Sequence, residues 1–534
     1  MHLPRPAPKF ALRTALVAAS TLALALSLTA LSADGAPPGK RATPTDEPGV
    51  TANLWEWNWN SIAAECPRLA RSGYDGVQVA PPQNSLKRTA AEASNPGGTG
   101  SAVLHPWWEV YQVVSYDLTS RMGNEQQFKD MVKTCRRAGV KIYVDAVINH
   151  TTGQGSTSYG GQTFTPYDYP AIPYGPGDFH VKTGECTSAS GGIEDFNNRN
   201  QVFKCNLVGL EDLDTDSAKV QSELASYLNT LLRYGVSGFR VDAGKHVGQD
   251  DLDGIYSRLN KTKDGVKPYW ALEVFQGGPG ILDPQAFTKS GDVLGLEGAR
   301  QIQQGFKSYP AAQIGSLSAL EVFGKGSGLT ASRDTMSFVT NHDTDRNRGE
   351  YLGHQDGKRF ILANMWLLAH GYGSPQIFSS FTWGPPANPP AGATGDDLSG
   401  RTQGPPSNAD GLITNTDCSN GQWTCDHRNP GIVAMIGWRD YVGKAKRANW
   451  YSDEGNVIAF SRGSKGWAAF NNGTAAKQIR VQTGLPKGTY CDVVTGREQG
   501  GACTGASVVV NSTGLASVTV GATAAVAIQR NQRI

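Results

Sequence analysis

Eight short apolar runs, spaced along residues 50–379 with amphipathic or polar stretches between them, set the limits on what this chain can fold into. They are Val50 to Trp57, Gly76 to Ala80, Val140 to Ile148, Gly238 to Asp242, Pro268 to Val274, Asp292 to Leu296, Thr335 to Asn341 and Pro375 to Ser379. Asn60 to Arg71, Asn124 to Arg137 and Ser217 to Tyr234 carry the period of amphipathic helices, with Pro67 placed to kink the first. Strand then helix at this rhythm predicts a parallel sheet. Eight such units fit an α/β fold of the closed (β/α)8 TIM-barrel type better than an open doubly wound sheet.

Two stretches break the rhythm. Residues 151–212 are rich in Gly, Tyr, Pro and Asn, hold two cysteines and lack a long apolar helix, so they read as a small domain inserted after the third strand. Residues 431–534 carry short alternating runs between glycine-containing turns, the pattern of an all-β sandwich. The barrel is then expected over residues 48–150 and 213–430.

The N-terminus has its own logic. Arg5, Lys9 and Arg13 precede an apolar run from Ala15 to Leu31, and small residues follow. That order predicts a secretory signal over residues 1–35, and the run is short for a membrane anchor. Residues 36–47, rich in Pro, Thr and Gly, read as a disordered leader. Loss of the signal removes three basic side chains and Asp34, so the formal charge of +2 becomes zero. A neutral surface exerts no general pull on nucleic acid or anionic membrane, and a secreted, extracellular monomer is expected. Eight cysteines behind a signal predict four disulfides. Cys186/Cys205, Cys418/Cys425 and Cys491/Cys503 are close in sequence, which leaves Cys66 and Cys135 to each other by elimination only.

In a barrel of this type the chemistry sits at the C-terminal ends of the strands. The third run ends Asp145-Ala-Val-Ile-Asn149-His150, the fourth at Asp242, the fifth at Glu273 and the seventh at Asn341-His342-Asp343. Paired carboxylates suit glycosidic cleavage, one attacking the anomeric carbon and one protonating the leaving oxygen. Trp107, Trp108 and Tyr111 supply flat apolar faces of the kind that pack on sugar rings. Adjacent residues in an extended stretch point opposite ways, so Trp107 and Trp108 are not both expected in the core.

These strand ends, with Gly238-Phe-Arg240-Val-Asp242-Ala-Gly-Lys245-His246, resemble the four signature segments of the α-amylase family. Leu207-Val-Gly-Leu-Glu-Asp212-Leu resembles a further motif near the end of that family's inserted domain. Gly76-Val-Gln-Val-Ala-Pro-Pro, Pro106-Trp-Trp-Glu-Val-Tyr-Gln112 and Thr483-Gly-Leu-Pro-Lys-Gly-Thr-Tyr-Cys491 resemble its animal-type members, also found in actinobacteria. The resemblance runs from Val50 to Gln529. It implies a secreted, retaining endo-hydrolase of α-1,4-glucosidic bonds in starch, glycogen and related glucans. Asp242 would be the nucleophile, Glu273 the general acid/base and Asp343 the transition-state stabiliser. Arg240 beside Asp242 is expected to keep it ionised, whereas Leu272, Val274 and Phe275 around Glu273 suit a held proton. His150 and His342 would bind sugar hydroxyls, with Tyr111, Gln112 and Lys245 along the same cleft.

The resemblance also implies Ca²⁺, held by the side chains of Asn149 and Asp212 and the carbonyls of Phe203 and His246. Animal-type relatives often bind chloride through counterparts of Arg240 and Asn341 and a second basic residue on the eighth strand. Gln376 stands at that third position here, so chloride is expected to be absent. The mobile Gly-His-Gly loop that relatives carry after Asn-His-Asp is missing between Arg346 and Gly357. Two other readings stay open: a family member that transfers glucan or forms short maltooligosaccharides, and a non-catalytic carbohydrate-binding protein on the same fold.

Overall fold

The computed structural model describes residues 48–95, 101–308, 313–324 and 328–534. The expected signal and leader lie outside the described residues. Among these, no helix is long and apolar enough to cross a membrane.

Each of the eight apolar runs contains a strand. They are β1 (Thr51–Leu54), β2 (Gly76–Val79), β3 (Lys141–Val147), β4 (Gly238–Asp242), β5 (Tyr269–Leu272), β6 (Asp292–Leu294), β7 (Thr335–Phe338) and β8 (Ser374–Ser379). Each pairs in parallel with the next, and β1 pairs with both β2 and β8, which closes the barrel. Six of the eight end earlier than the apolar run does, and β4 and β8 end with it. Glu56, at φ 56°, turns the chain after β1.

The helices follow their capping chemistry. In α1 (Trp59–Arg71) the Asn58 side chain accepts from the Ser61 amide, and in α2 (Glu125–Arg137) Asn124 and Gln127 form a reciprocal cap. Pro67 is accommodated inside α1. A disulfide from Cys66 to Cys135 ties α1 to α2, with Cα atoms 5.0 Å apart. The other three bridges are Cys186–Cys205, Cys418–Cys425 and Cys491–Cys503.

The insertion after β3 has two short helices, His180–Thr183 and Arg199–Lys204, and otherwise irregular chain. Bridges between His150 and Asp212 and between Phe179 and Leu213 fasten its ends together. At the other end of the chain, a four-stranded antiparallel sheet joins Arg447–Ser452, Val457–Arg462, Gly466–Asn471 and Ala524–Gln529. Paired strands Lys477–Gln482 with Leu515–Val520, and Gly488–Cys491 with Ser507–Val510, cover a separate core around Trp467, Tyr490 and Ile528. The helix Pro430–Val442 bridges barrel and sheet, Trp438 donating its indole N–H to the Ile528 carbonyl at 3.0 Å.

Glu65 of α1 reaches the 3₁₀ turn Asp426–Arg428, which packs on β8. It accepts from His427 Nε2 at 3.1 Å and from Arg428 Nε at 2.9 Å. Burial pushes this carboxyl up, but the His427 and Arg428 hydrogen bonds outweigh it and hold it below the ordinary 4.5. A depressed carboxylate stabilises the fold above its unfolded pKa, and that contribution disappears as pH falls through the folded value. Glu65→Ala should therefore cost about 3 kcal/mol at pH 7. The gap to wild type should narrow as pH falls below the ordinary 4.5 and through the folded value, as read by urea unfolding across that range.

Candidate active site

β3 and β4 are in register with Asp145 opposite Arg240 and Val147 opposite Asp242. Side chains alternate along a strand, so Arg240 and Asp242 share the interior face while Phe239 and Val241 pack outward. The Arg240 guanidinium is 2% exposed and surrounded by acids. Its Nη1 donates to Asp145 at 2.7 Å and to Asp242 at 2.6 Å. Its Nη2 lies 2.8 Å from Glu273 and 3.8 Å from Asp343. Four carboxylates thus share one cation.

This arrangement differs from the expected division between a paired Asp242 and an apolar Glu273. Glu273 touches the same guanidinium, and its other oxygen accepts the Ala243 amide at 2.7 Å, at a residue whose φ is 48°. Burial raises the Asp242 carboxyl, opposed by Arg240. Burial pushes Asp343 far above the usual carboxylate range, with the neighbouring Glu273 as the next cause. Asp145 is raised by burial to about 7, against the pull of Arg240.

Above this cluster opens a cleft of about 1030 Å³. Asp242, Glu273 and Asp343 line it, as do Trp107, Trp108, Tyr111, Gln112, His150, Lys245 and His342. Arg240 is not among the cleft-lining residues and lies beneath them, against the carboxylates. Trp107 and Trp108 both face the cleft because Trp107–Tyr111 is a 3₁₀ turn rather than an extended stretch. Successive side chains then fan around the turn instead of alternating. Tyr111 donates its hydroxyl to Asp145 at 2.9 Å and accepts from the Trp55 indole at 3.0 Å.

The two histidines are held neutral by burial, His150 lowered to about 4 and His342 well below its ordinary value. His150 Nε2 donates to the Tyr111 carbonyl at 3.1 Å. The His342 ring is stacked on Trp55 at 4.8 Å and on Tyr111 at 5.0 Å. Lys245, lowered by burial, donates to the carbonyls of Phe275 and Gly277 in the loop after β5.

The residues expected to hold a metal come together as two neighbouring pairs. Asn149 Nδ2 donates to Asp212 at 3.1 Å, while Asn149 Oδ1 is buried without a partner. Asp212 is raised by burial to about 6 and accepts from His180 at 2.7 Å. The helix bearing Phe203 packs on Gly244–Val247, where His246 Nδ1 donates to the Val202 carbonyl at 2.9 Å. An orphaned amide oxygen next to a buried carboxylate fits a hard cation. A second candidate metal-binding group gathers His180, Glu185, Asp214 and Asp216. There the Lys204 ammonium already sits 3.0 Å from Glu185 and 2.9 Å from His180.

Gln376 does not stand alone on β8. It donates to Gln78 at 2.9 Å and accepts from Asn53 at 3.2 Å, forming a neutral amide chain across β1, β2 and β8.

Comparison with known proteins follows the same lines. A family model described as the α-amylase catalytic domain matches residues 107–265, and one for the α-amylase C-terminal all-β domain matches residues 449–531. An α-amylase of Thermomonospora curvata is 40% identical, over 97% of this chain and 78% of that protein. This chain belongs to the α-amylase family. It is thereby a glycoside hydrolase acting on α-glucans. The pancreatic α-amylase of Sus scrofa is 36% identical over 89% of this chain and 93% of its own length. The crystal structure of α-amylase I from Eisenia fetida superposes with a TM-score of 0.81 at 34% identity, covering 92% of this chain and 99% of that one. Its E249Q variant in complex with maltohexaose gives 0.80 at the same identity and the same coverage of each chain.

Three apolar residues of the cleft are not read from the sequence as cleft residues. Phe196, Val208 and Phe275 line the cleft while 51, 86 and 44% exposed. Apolar side chains this open become recognisable only once the fold places them at a rim. The role of Asp145 is visible only from the pairing of β3 with β4.

A carboxyl raised in the folded state binds more protons folded than unfolded, so it costs stability as pH rises above its unfolded value. Asp145→Asn should therefore gain on wild type by several kcal/mol between about pH 4 and pH 7. Urea unfolding of both proteins across that range checks the sign.

Proposed function

We propose that the chain is a secreted monomer that cleaves internal α-1,4 bonds of starch-like glucans by double displacement. The observation that carries this reading is the set of three cleft-lining carboxylates gathered on Arg240 beneath sugar-sized aromatic walls. Asp242 attacks the anomeric carbon while Glu273 gives its proton to the leaving glycosidic oxygen, which forms a glycosyl-enzyme ester. Glu273 then takes a proton from water as that water attacks the same carbon, releasing Asp242 and retaining configuration. Asp343 supports the positively charged sugar between the two steps.

The charge balance supports these roles. Arg240 opposes the effect of burial on Asp242 and favours the anionic form that a nucleophile requires. The upward push is greatest on Asp343, where burial and then the neighbouring Glu273 favour the protonated form. Trp107, Trp108, Tyr111, Gln112, His150, Lys245 and His342 bind the glucan. In the Eisenia fetida neighbour, a glutamate-to-glutamine variant was crystallised with maltohexaose, which supports a glucan ligand here.

Ca²⁺ would be held by the side chains of Asn149 and Asp212 and the carbonyls of Phe203 and His246. Bound there, it supplies a charge that fastens the inserted domain, residues 151–212, to the barrel ahead of the C-terminal domain at 431–534. The amide chain through Gln376 offers no charge to an anion, so activity should not depend on chloride. Four disulfides support an extracellular location.

Glu273→Gln should lower starch hydrolysis by about 10²–10⁴-fold and leave maltohexaose binding intact. NMR of the wild-type product should show the α-anomer first. Early β-anomer, or full activity in the variant, would overturn the mechanism. Adding chloride to a chloride-free preparation should leave turnover unchanged, and a chelator should lower the unfolding midpoint.

A further inference from the structure

Asp343 poses a physical problem. Its Oδ2 is buried without a hydrogen-bond partner, 3.3 Å from His342 Nε2 and 3.8 Å from Arg240. With that oxygen unpartnered, the backbone turn shares the placing of the carboxyl with the neighbouring Glu273. On the inside, the Asn341 side chain accepts the amides of Asp343 at 3.1 Å and Thr344 at 2.9 Å, which fixes the turn. The Thr344 hydroxyl accepts the Asn341 amide at 2.8 Å, and one more side chain grips the turn. Arg346 Nη1 donates to the His342 carbonyl at 3.1 Å, one residue before Asp343.

Arg346 is held by two of its three nitrogens and by its face, while Nη2 is buried without a hydrogen-bond partner. It is 6% exposed, and its guanidinium lies over four aromatic rings: Trp55 at 4.8 Å, Trp107 at 5.1 Å, Phe381 at 5.3 Å and Trp383 at 5.6 Å. Its Nε donates to the Arg401 carbonyl at 3.0 Å, and the Trp107 indole donates to that same oxygen at 2.9 Å. Trp383 is oriented by its indole bond to Asp345 at 2.6 Å. One planar cation therefore joins the loops after β1, β7 and β8 to the cleft wall at Trp107.

We propose that Arg346 is a positioning residue: through the His342 carbonyl and the Trp55–Trp107 wall it sets Asp343 and His342 against the sugar at the cleavage point. This rests on the functional reading above. Its physical basis is the guanidinium's fixed fork, which bonds two carbonyls in different directions while its face stacks on rings. A lysine ammonium keeps the charge but has no planar face and no pre-set pair of donors. A cage of this strength would be excessive for a surface loop, and it encloses the turn that carries Asp343, whose buried oxygen has no hydrogen-bond partner.

The test is steady-state hydrolysis of soluble starch by the full chain and by Arg346→Lys, normalised to folded protein. The variant should lose about 100-fold in kcat, the effect of misplacing a reacting group by about 1 Å. KM should stay within about twofold, because Trp108, Gln112, His150 and Lys245 make no contact with Arg346 and the lost interactions are those at the cleavage point. Unchanged kcat per folded molecule, or KM rising in step with the loss, would overturn the proposal. Should Arg346→Lys not fold, Trp383→Phe keeps a ring above the guanidinium and removes only the bond to Asp345. It should lower kcat about 10-fold at constant KM, and an unchanged kcat would count equally against the idea. Glu273→Gln, run alongside, reports separately on the acid. Activity retained in it would remove that assignment, while the kcat and KM of Arg346→Lys still decide the positioning role.

Discussion

One guanidinium governs the centre of this molecule. Arg240, inside a closed barrel, is paired with Asp145 and Asp242 through one nitrogen and faces Glu273 and Asp343 with the other. A cation buried this deeply is tolerable only with anionic partners, and four carboxylates this close cannot all be ionised around one positive charge. The cluster must therefore hold protons. That condition suits a site needing one acid ionised to attack and another protonated to assist departure. The barrel makes it possible because strand register, with Asp145 opposite Arg240, fixes the distances before any substrate arrives.

The cleft walls depend on the same framework. Each wall residue leans on another strand's loop: His342 between Trp55 and Tyr111, Tyr111 on Asp145, Trp107 on the Arg401 carbonyl. Neutral histidines and apolar rings leave the carboxylates and Lys245 as the charged groups facing the sugar. Such a surface suits flat, hydroxyl-bearing rings.

Much of this was legible in the residues alone. Eight apolar runs at strand length specify a barrel because parallel strands buried on both faces read as continuous apolar segments. The acids at their ends announced the chemistry, and cysteine spacing with elimination paired Cys66 to Cys135. Other features depend on contacts between distant segments. The reach of Arg240 to Glu273 spans two strands, and Leu272, Val274 and Phe275 gave no hint of it because sequence neighbours of a strand-end residue are not its spatial neighbours. Trp107 and Trp108 share one wall because Pro106 starts a 3₁₀ turn that an alternating pattern does not reveal. Lys204 fills an acidic group drawn from three segments, and the four rings around Arg346 come from residues 55, 107, 381 and 383.

The dependence of the whole site on Arg240 is open to one direct measurement, the pH profile of kcat/KM for starch in wild type and Arg240→Gln. Removing the cation raises the carboxylate that must be ionised to attack. The account therefore predicts an acidic limb displaced upward by about 1–3 pH units together with a large loss of rate. An acidic limb at the wild-type position, whatever the rate, would contradict it.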